Sequence, residues 1–401
     1  MKAISAKLNS EYGGIFALYW MHYGVVASFC SAYLIDKGYS NSEIGIILAA
    51  AGAFSVFMQP ILADISDRSS KLSALGVAQI STAVMLVLNL ALFVFTRKSF
   101  ALWVIYMMLM AWNLALQPLF NSLQRKLSET GAKINFGICR AGGSLGFSAC
   151  TAVIGAAADR NGVGVLPPAG VILLSLLLVL LVITARTLKG SGEAGGKAEA
   201  ASEIMTEEIG IVEFIKRNKL FVLLNFFILV LFFQNSILNN FMFQIVEGVG
   251  GDTEDMGRIF SFMAFVEIPA LFFFDKIRSR FSCQTLLKVS AVAFVLKIAI
   301  IYLAKSVAMI FAAHFFHIFS FALFLPAIVA FVNQIMEKGE LVKGQALYTT
   351  AITISNIFAS ISGGLMLDSS GPGFMLLFSV GAAVVGCLGV LALIGKIKEK
   401  N

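Results

Sequence analysis

The sequence predicts an all-α membrane protein of twelve transmembrane helices arranged as two six-helix bundles. Three observations predict it. Twelve long apolar stretches run through the 401 residues, six before Arg186 and six from Lys219 onward. Apolar residues make up 58% of the chain and charged residues 13%, against roughly 45–50% and about 25% in soluble domains. One polar run, GSGEAGGKAEAASEIMTEE, interrupts the pattern near the middle. A bilayer core takes roughly 20 apolar residues per helix, and unpaired backbone groups in lipid cost several kcal/mol each, which excludes open sheets and loops there. Six spans, a polar connector and six more spans form the plan of a two-bundle secondary transporter, with its solute site between the bundles near mid-membrane. The domain reading is a first bundle over 1–185, a cytoplasmic linker over 186–218 and a second bundle over 219–401.

The spans are expected over 12–35, 42–66, 72–96, 99–124, 136–158, 165–185, 219–246, 256–275, 285–304, 307–336, 344–367 and 373–395. The first has no small-residue cleavage site and reads as its own insertion signal. With the N-terminus inside, the cytoplasmic segments hold 22 of the 30 basic residues and the outer segments 6, leaving Arg140 and Lys297 inside spans. That bias places both termini in the cytoplasm of a multi-pass inner-membrane protein. The net charge of +7 follows from the loops and gives no reason to expect nucleic acid as a partner. The five cysteines, Cys30, Cys139, Cys150, Cys283 and Cys387, are scattered without metal-ligand spacing, so neither a disulfide framework nor a metal site is expected. No Ser/His/Asp or phosphate-loop constellation marks an enzyme. Protons, lipids and a small molecule are the expected partners, the chain is read as a monomer, and no cofactor beyond the coupling proton is expected.

The segment after the second span, QPILADISDRSSK over residues 59–71, is the first specific motif. It resembles the loop between helices two and three of the major facilitator superfamily. Asp67 matches that motif's aspartate, Arg68 the adjacent base and Lys71 the terminal base, while Ala63 and Ser70 stand where the pattern has glycines. A carboxylate at a helix end caps neighbouring termini and pairs with bases, so these three residues are read as a gate latch.

The fifth span, FGICRAGGSLGFSAC over residues 136–150, is similar to helix five of the lactose-permease-like oligosaccharide:proton symporters and of the related aromatic-acid permeases. A charge inside the membrane is costly and is expected to face a partner or a cavity. By the resemblance Arg140 binds substrate and Phe147 takes the place of a stacking tryptophan. Helix four departs from that branch: Asn121 sits where those carriers have an acid, and no acid lies between Arg97 and Lys126. Arg140 is left to pair with a substrate carboxylate, or a neutral solute is held by Asn121, Asn113 and Gln117 through amide hydrogen bonds.

In the second half, Glu267 lies within SFMAFVEIPALFFFDKIRSRF, Lys297 within AFVLKIAII, and His314 and His317 within AHFFHIFSFALF. The resemblance matches Glu267 to the helix-eight acid, Lys297 to a helix-nine arginine and His317 to the helix-ten histidine. Ser320 occupies the position of the principal proton-carrying glutamate. Glu267 is thus the expected proton carrier, tuned by Lys297 and His317, because histidine titrates near neutrality and relays protons. Asn235 and Asn239 on helix seven, with neighbours Gln234 and Asn240, and His22 in the first span complete the candidate lining. The function expected is proton-coupled import of a small organic solute such as a sugar, nucleoside or aromatic acid by alternating access. The alternatives are proton-driven export and, with less support from the buried charges, a sensor without flux.

Overall fold

A computed structural model describes residues 2–68, 74–128, 131–191, 210–337 and 339–397. All its regular elements are helical. Nine helices among the described residues are long and apolar enough to cross a membrane, and the pair Ile4–Ser28 and Cys30–Asp36, bent by 46°, makes a tenth.

The chain divides into two compact units. The first comprises Met1–Ala200 with Asp252–Phe265, and the second Ala201–Gly251 with Val266–Asn401. In the first, α1 (Lys2–Tyr23) packs on α6 (Phe136–Asn161) and α7 (Leu166–Ser191), α3 (Asn41–Arg68) on α5 (Phe100–Ser128), and α4 (Ala74–Ala91) on α5 and α7. A π-helical turn over Gly24–Ser28 follows α1 and leads into α2 (Cys30–Asp36). In the second, α9 (Lys219–Asn240) lies along α16 (Leu341–Ile394), and α13 (Cys283–Tyr302) packs on α15 (Leu323–Ile335) and α16. Short helices α8 (Ile211–Arg217), α10 (Met242–Glu247), α12 (Phe274–Arg278) and α14 (Val307–Ala313) connect these, and α11 (Thr253–Phe272) joins the two units.

The first helix begins ten residues before the expected span, at Lys2 rather than residue 12. The polar start is helical because its residues have partners. Leu8 is fully buried, and the Thr187 hydroxyl on α7 donates to Glu11 Oε1 at 2.9 Å. Asn9 holds the entry to α6: its Nδ2 donates to the Lys133 carbonyl at 2.7 Å and its Oδ1 accepts the Asn135 N–H at 2.7 Å. Tyrosines pin α1 to α5. Tyr12 donates to the Phe120 carbonyl at 2.9 Å and Tyr19 to the Asn113 carbonyl at 2.7 Å, while Tyr106 returns a hydrogen bond to the Val26 carbonyl at 2.8 Å.

The two last expected spans, 344–367 and 373–395, fall on two helices that run on through a kink and are labelled together as α16, Leu341–Ile394. At about 1.5 Å per residue it is far too long for one crossing. Its break is local, at Gly371 with φ 75° and ψ 179°, next to Pro372. Only glycine takes that backbone at low cost, and proline cannot donate into the turn behind it. The expected seventh span likewise ends early, α9 stopping at Asn240 before α10. The expected tenth span is three pieces: α14, a tight 3₁₀ turn His314–His317 with a π-helical turn Ile318–Ala322, and α15.

Within the first unit α6 meets the start of α11 at two glycines. A Cβ on Gly155 would stand 2.9 Å from Gly257 Cα, and one on Gly257 would stand 2.5 Å from the Thr151 carbonyl oxygen. Small residues permit that approach, and the Ser148 hydroxyl is 2.9 Å from the Ser261 carbonyl. This contact is why Asp252–Phe265 groups with the first unit although the sequence puts it in the second half.

Candidate functional site

The capped start of α6 sets the position of Arg140. Asn135 accepts the Ile138 N–H at 3.1 Å, which fixes the first turn, and Arg140 follows within the second. Its guanidinium lies over the Trp20 ring, 4.5 Å from the centroid, and 6.0 Å from that of Phe16. Both rings belong to α1. A cation over an aromatic face is held by the ring quadrupole, by about 0.5–2 kcal/mol. Trp20 in turn meets Tyr19, Tyr23 and Phe147 edge-on, with centroids 5.5, 5.2 and 6.4 Å away. Its indole lies against bare backbone: a Cβ on Gly143 would stand 2.5 Å from Trp20 Cδ1. The indole Nε1 is buried with no hydrogen-bond partner among the described residues. Arg140 and Phe147 are half-buried.

Trp20 was not among the residues singled out from sequence. Phe16, Tyr19, Trp20 and Tyr23 recur at three- and four-residue steps along α1, and that spacing puts aromatic side chains on one stripe of a helix. The π-helical turn that follows, Gly24–Ser28, is the kind of irregularity that recurs at functional sites.

His22 and Asn113 stand differently from the expectation of two solute ligands. Both are fully buried. His22 Nδ1 lies 3.0 Å from Asn113 Oδ1, and Asn113 Nδ2 donates to the Leu109 carbonyl at 2.9 Å. The two meet across α1 and α5 through that one contact, and His22 Nε2 is buried without a hydrogen-bond partner among the described residues. Asn121 is exposed on α5, and its backbone carbonyl accepts from Tyr12 at 3.3 Å. Asn239 is exposed near the end of α9.

The second unit brings four expected residues into one chain of polar contacts. His317 Nε2 is 2.9 Å from Glu267 Oε1. His317 Nδ1 is 3.5 Å from Lys297 Nζ, and Lys297 Nζ is 3.4 Å from Asn235 Oδ1. Lys297 is fully buried, and its ammonium stands 5.4 Å from the Phe294 centroid. His317 is 2% exposed and stacks on Phe321, whereas the Glu267 side chain keeps 22% exposure. The order is therefore buried amide, buried amine, buried imidazole and partly open carboxylate. An ammonium has only donors, so Lys297 donates to Nδ1, and the remaining hydrogen is assigned to Nε2, pointing at the carboxylate. His314 turns elsewhere: its Nδ1 is 2.7 Å from the Ile310 carbonyl and its Nε2 has no partner among the described residues. Gln234, beside Asn235, is fully buried with both amide atoms unpartnered among the described residues. Ser320 Oγ is in the same condition, within the π-helical turn next to His317.

Of the three gate residues, Asp67 and Arg68 end α3. Their side chains, and Lys71 entirely, lie outside the described residues.

The chain matches the model of the MFS_1 like family over residues 11–378. It is 23% identical over 368 residues to the "Uncharacterized transporter YwbF" of Bacillus subtilis (strain 168), a match covering 88% of this chain and 86% of that one. Among solved structures it resembles the nucleoside transporter NupG, with a TM-score of 0.78 at 17% identity over 98% of this chain and 100% of that one. It also resembles a variant of the peptide transporter POT, with a TM-score of 0.74 at 14% identity over 98% and 95% of the two chains.

Proposed function

The chain belongs to the MFS_1 like family and is a multi-pass membrane transporter rather than an enzyme, and from that premise we propose that it is a proton-coupled symporter importing a small ring-bearing solute by alternating access. The solute classes are a sugar, a nucleoside or an aromatic acid. One observation carries the coupling: the run from Asn235 through Lys297 and His317 to Glu267, in which the partly open carboxylate is wired to a fully buried cation. Charges inside a membrane are costly and are kept for ion or proton pathways. Binding of a ring is supported by Arg140 laid on Trp20 with Phe147 at its edge. That group offers a forked cationic donor beside aromatic surface. The nucleoside class is favoured as the first probe by the likeness to NupG, a nucleoside transporter.

The bias of 22 in 30 basic residues toward alternate loops supports cytoplasmic termini in the cell's inner membrane. We read the chain as a monomer in lipid, with Asp67, Arg68 and Lys71 as the latch of a cytoplasmic gate. Asp67→Asn is expected to slow turnover and leave solute affinity nearly intact. Weakened affinity at normal turnover, measured in the same vesicles, would move Asp67 from the gate to the solute.

The deciding experiment compares wild type with Glu267→Gln in proteoliposomes using radiolabelled uridine, then lactose and phenylpropionate. Wild type is expected to accumulate one of them under an inward proton gradient. The variant should lose accumulation while retaining equilibrium exchange, because a permanently neutral side chain still allows alternation. Undiminished uphill uptake by the variant would sink the proposed coupling.

A further inference from the structure

Lys297 is a buried cation with unusually little around it. It is 0% exposed, and its two polar contacts are long, 3.4 Å to Asn235 Oδ1 and 3.5 Å to His317 Nδ1. No carboxylate oxygen lies within 4.0 Å of its Nζ among the described residues. A structural ion pair is built otherwise, with a close counter-ion and further hydrogen bonds on the ammonium. The Glu267 carboxylate is not beside Lys297 but on the far nitrogen of the intervening imidazole, at 2.9 Å.

The ionisable groups acting electrostatically on Lys297 are Glu267, His314 and His317. The elements packed on α13 add few others. On α9 the charged residue is Lys219; α14 and α15 carry none; α16 carries Lys343, Tyr348, Asp368 and Cys387; α13 itself carries Cys283, Lys288 and Tyr302. Among the described residues the ammonium therefore has one proton acceptor in reach, His317 Nδ1, and behind it one terminal acceptor, Glu267.

We infer that Lys297 is a proton store, which passes its proton through His317 to Glu267, rather than a fixed cation that tunes the carboxylate. This rests on the proton-coupled reading above. The step balances. Lys297 Nζ gives one proton to His317 Nδ1, and His317 Nε2 gives its proton to Glu267 Oε1. Before the step the trio is ammonium, neutral imidazole and carboxylate; after it, amine, neutral imidazole of the other tautomer and carboxylic acid. Net charge is zero on both sides, and the separated charges have annihilated each other. Glu267, the member with solvent exposure, then releases the proton to water, and the reverse sequence reloads the amine. The 3.5 Å gap is the one the relay must shorten. Lysine suits this role because its ammonium gives up a proton when buried, whereas arginine does not.

The test needs no solute. Protein labelled with ¹⁵N-histidine contains three histidines, and a His317→Phe sample assigns the signal of His317. As the pH is raised in detergent and the trio gives its proton to water, His317 is expected to switch from the Nε2–H to the Nδ1–H tautomer. The transfer within the trio conserves its protons, so pH acts on it only through that release. Glu267 protonation is followed by its infrared carbonyl band, identified by its loss in Glu267→Gln. In Lys297→Arg the Nε2–H form should persist throughout, and the midpoint of the Glu267 band should move to more acid pH by about one unit, a tenfold change in proton affinity. A wild-type His317 that stays Nε2–H, or that becomes a doubly protonated imidazolium, overturns the relay. So does a Lys297→Arg protein that titrates like wild type. The wild-type measurement decides the matter if that variant does not fold. A tautomer switch in a protein that accumulates none of the three probes under a proton gradient would overturn the symport reading and leave the relay standing.

Discussion

Adding one methyl group at residue 143 tests how much of the solute affinity depends on where Trp20 lies. The Cβ of Gly143→Ala would come 2.5 Å from Trp20 Cδ1, so the ring must tilt and Arg140 loses its aromatic face. Overpacking of this kind costs about 1–3 kcal/mol. The expected result is a several-fold rise in KM with kcat retained, and Trp20→Phe should do less harm than Trp20→Leu because it keeps a ring under the guanidinium. If the solute is anionic, Arg140→Lys should weaken binding by about 1.5–3 kcal/mol through loss of a charged hydrogen bond, measured by isothermal titration. His22 and Asn113 call for a different measurement. They share one hydrogen bond between His22 Nδ1 and Asn113 Oδ1, so His22→Phe or Asn113→Leu strands the other's buried polar atom and should cost about 1–3 kcal/mol. The double variant should recover part of that, which thermal unfolding of all four proteins would reveal. Arg140 was legible in the sequence because a guanidinium inside an apolar, glycine-rich run has few explanations. Trp20 was silent because aromatic side chains are common throughout this chain, with 36 phenylalanines alone. His22 and Asn113 read as solute ligands because a sequence displays a polar residue in a span without displaying its partner 91 residues away.

At the scale of the element, hydropathy located the helices and missed the irregular turns inside them. Apolar content is the same on both sides of a π-helical turn, so neither Gly24–Ser28 nor Ile318–Ala322 leaves a trace in it. The break at Gly371 was visible as a Gly-Pro-Gly sequence, and its cause is testable. Gly371→Ala forces a side chain into a backbone region that glycine alone occupies freely and should destabilise the protein by about 1–3 kcal/mol. Gly373→Ala, two residues on, adds a Cβ with nothing within 4 Å and serves as the neutral control in the same thermal melts. The early start of α1 was hidden for another reason. Asn9 and Glu11 look like loop residues until their partners on neighbouring elements are known.

For the whole molecule, the apolar spans were enough to predict an all-helical membrane protein, because the bilayer leaves so few ways to satisfy a backbone, while the major facilitator type came from the resemblance carried by residues 59–71 and 136–150. What they did not predict is that the start of α11 groups with the first unit, since that depends on two glycines, Gly155 and Gly257, distant in sequence and inconspicuous alone. Gly257→Leu should force α6 and α11 apart; the measurement is the rate of solute exchange and the thermal midpoint, and both are expected to change. Function at this scale is a thermodynamic claim. A protonophore that collapses the pH gradient should abolish accumulation in wild type and change nothing in Glu267→Gln.

The burial of Lys297 also bears on how the protein is made. A lysine at the centre of a membrane helix opposes insertion by about 2.5–3.5 kcal/mol, while each leucine, isoleucine, phenylalanine or valine favours it by about 0.3–0.6 kcal/mol. The apolar residues of α13, from Leu286 to Ile301, are what carry that lysine across the threshold. The ribosome delivers Glu267 first, Lys297 next and His317 last. For the time it takes to synthesise the twenty residues separating Lys297 from His317, an acid and a base reside in or near the translocon without the imidazole that joins them. Lys297 therefore enters the membrane on the apolar strength of α13 alone, and its contact with the imidazole forms only after the His314–His317 turn has followed.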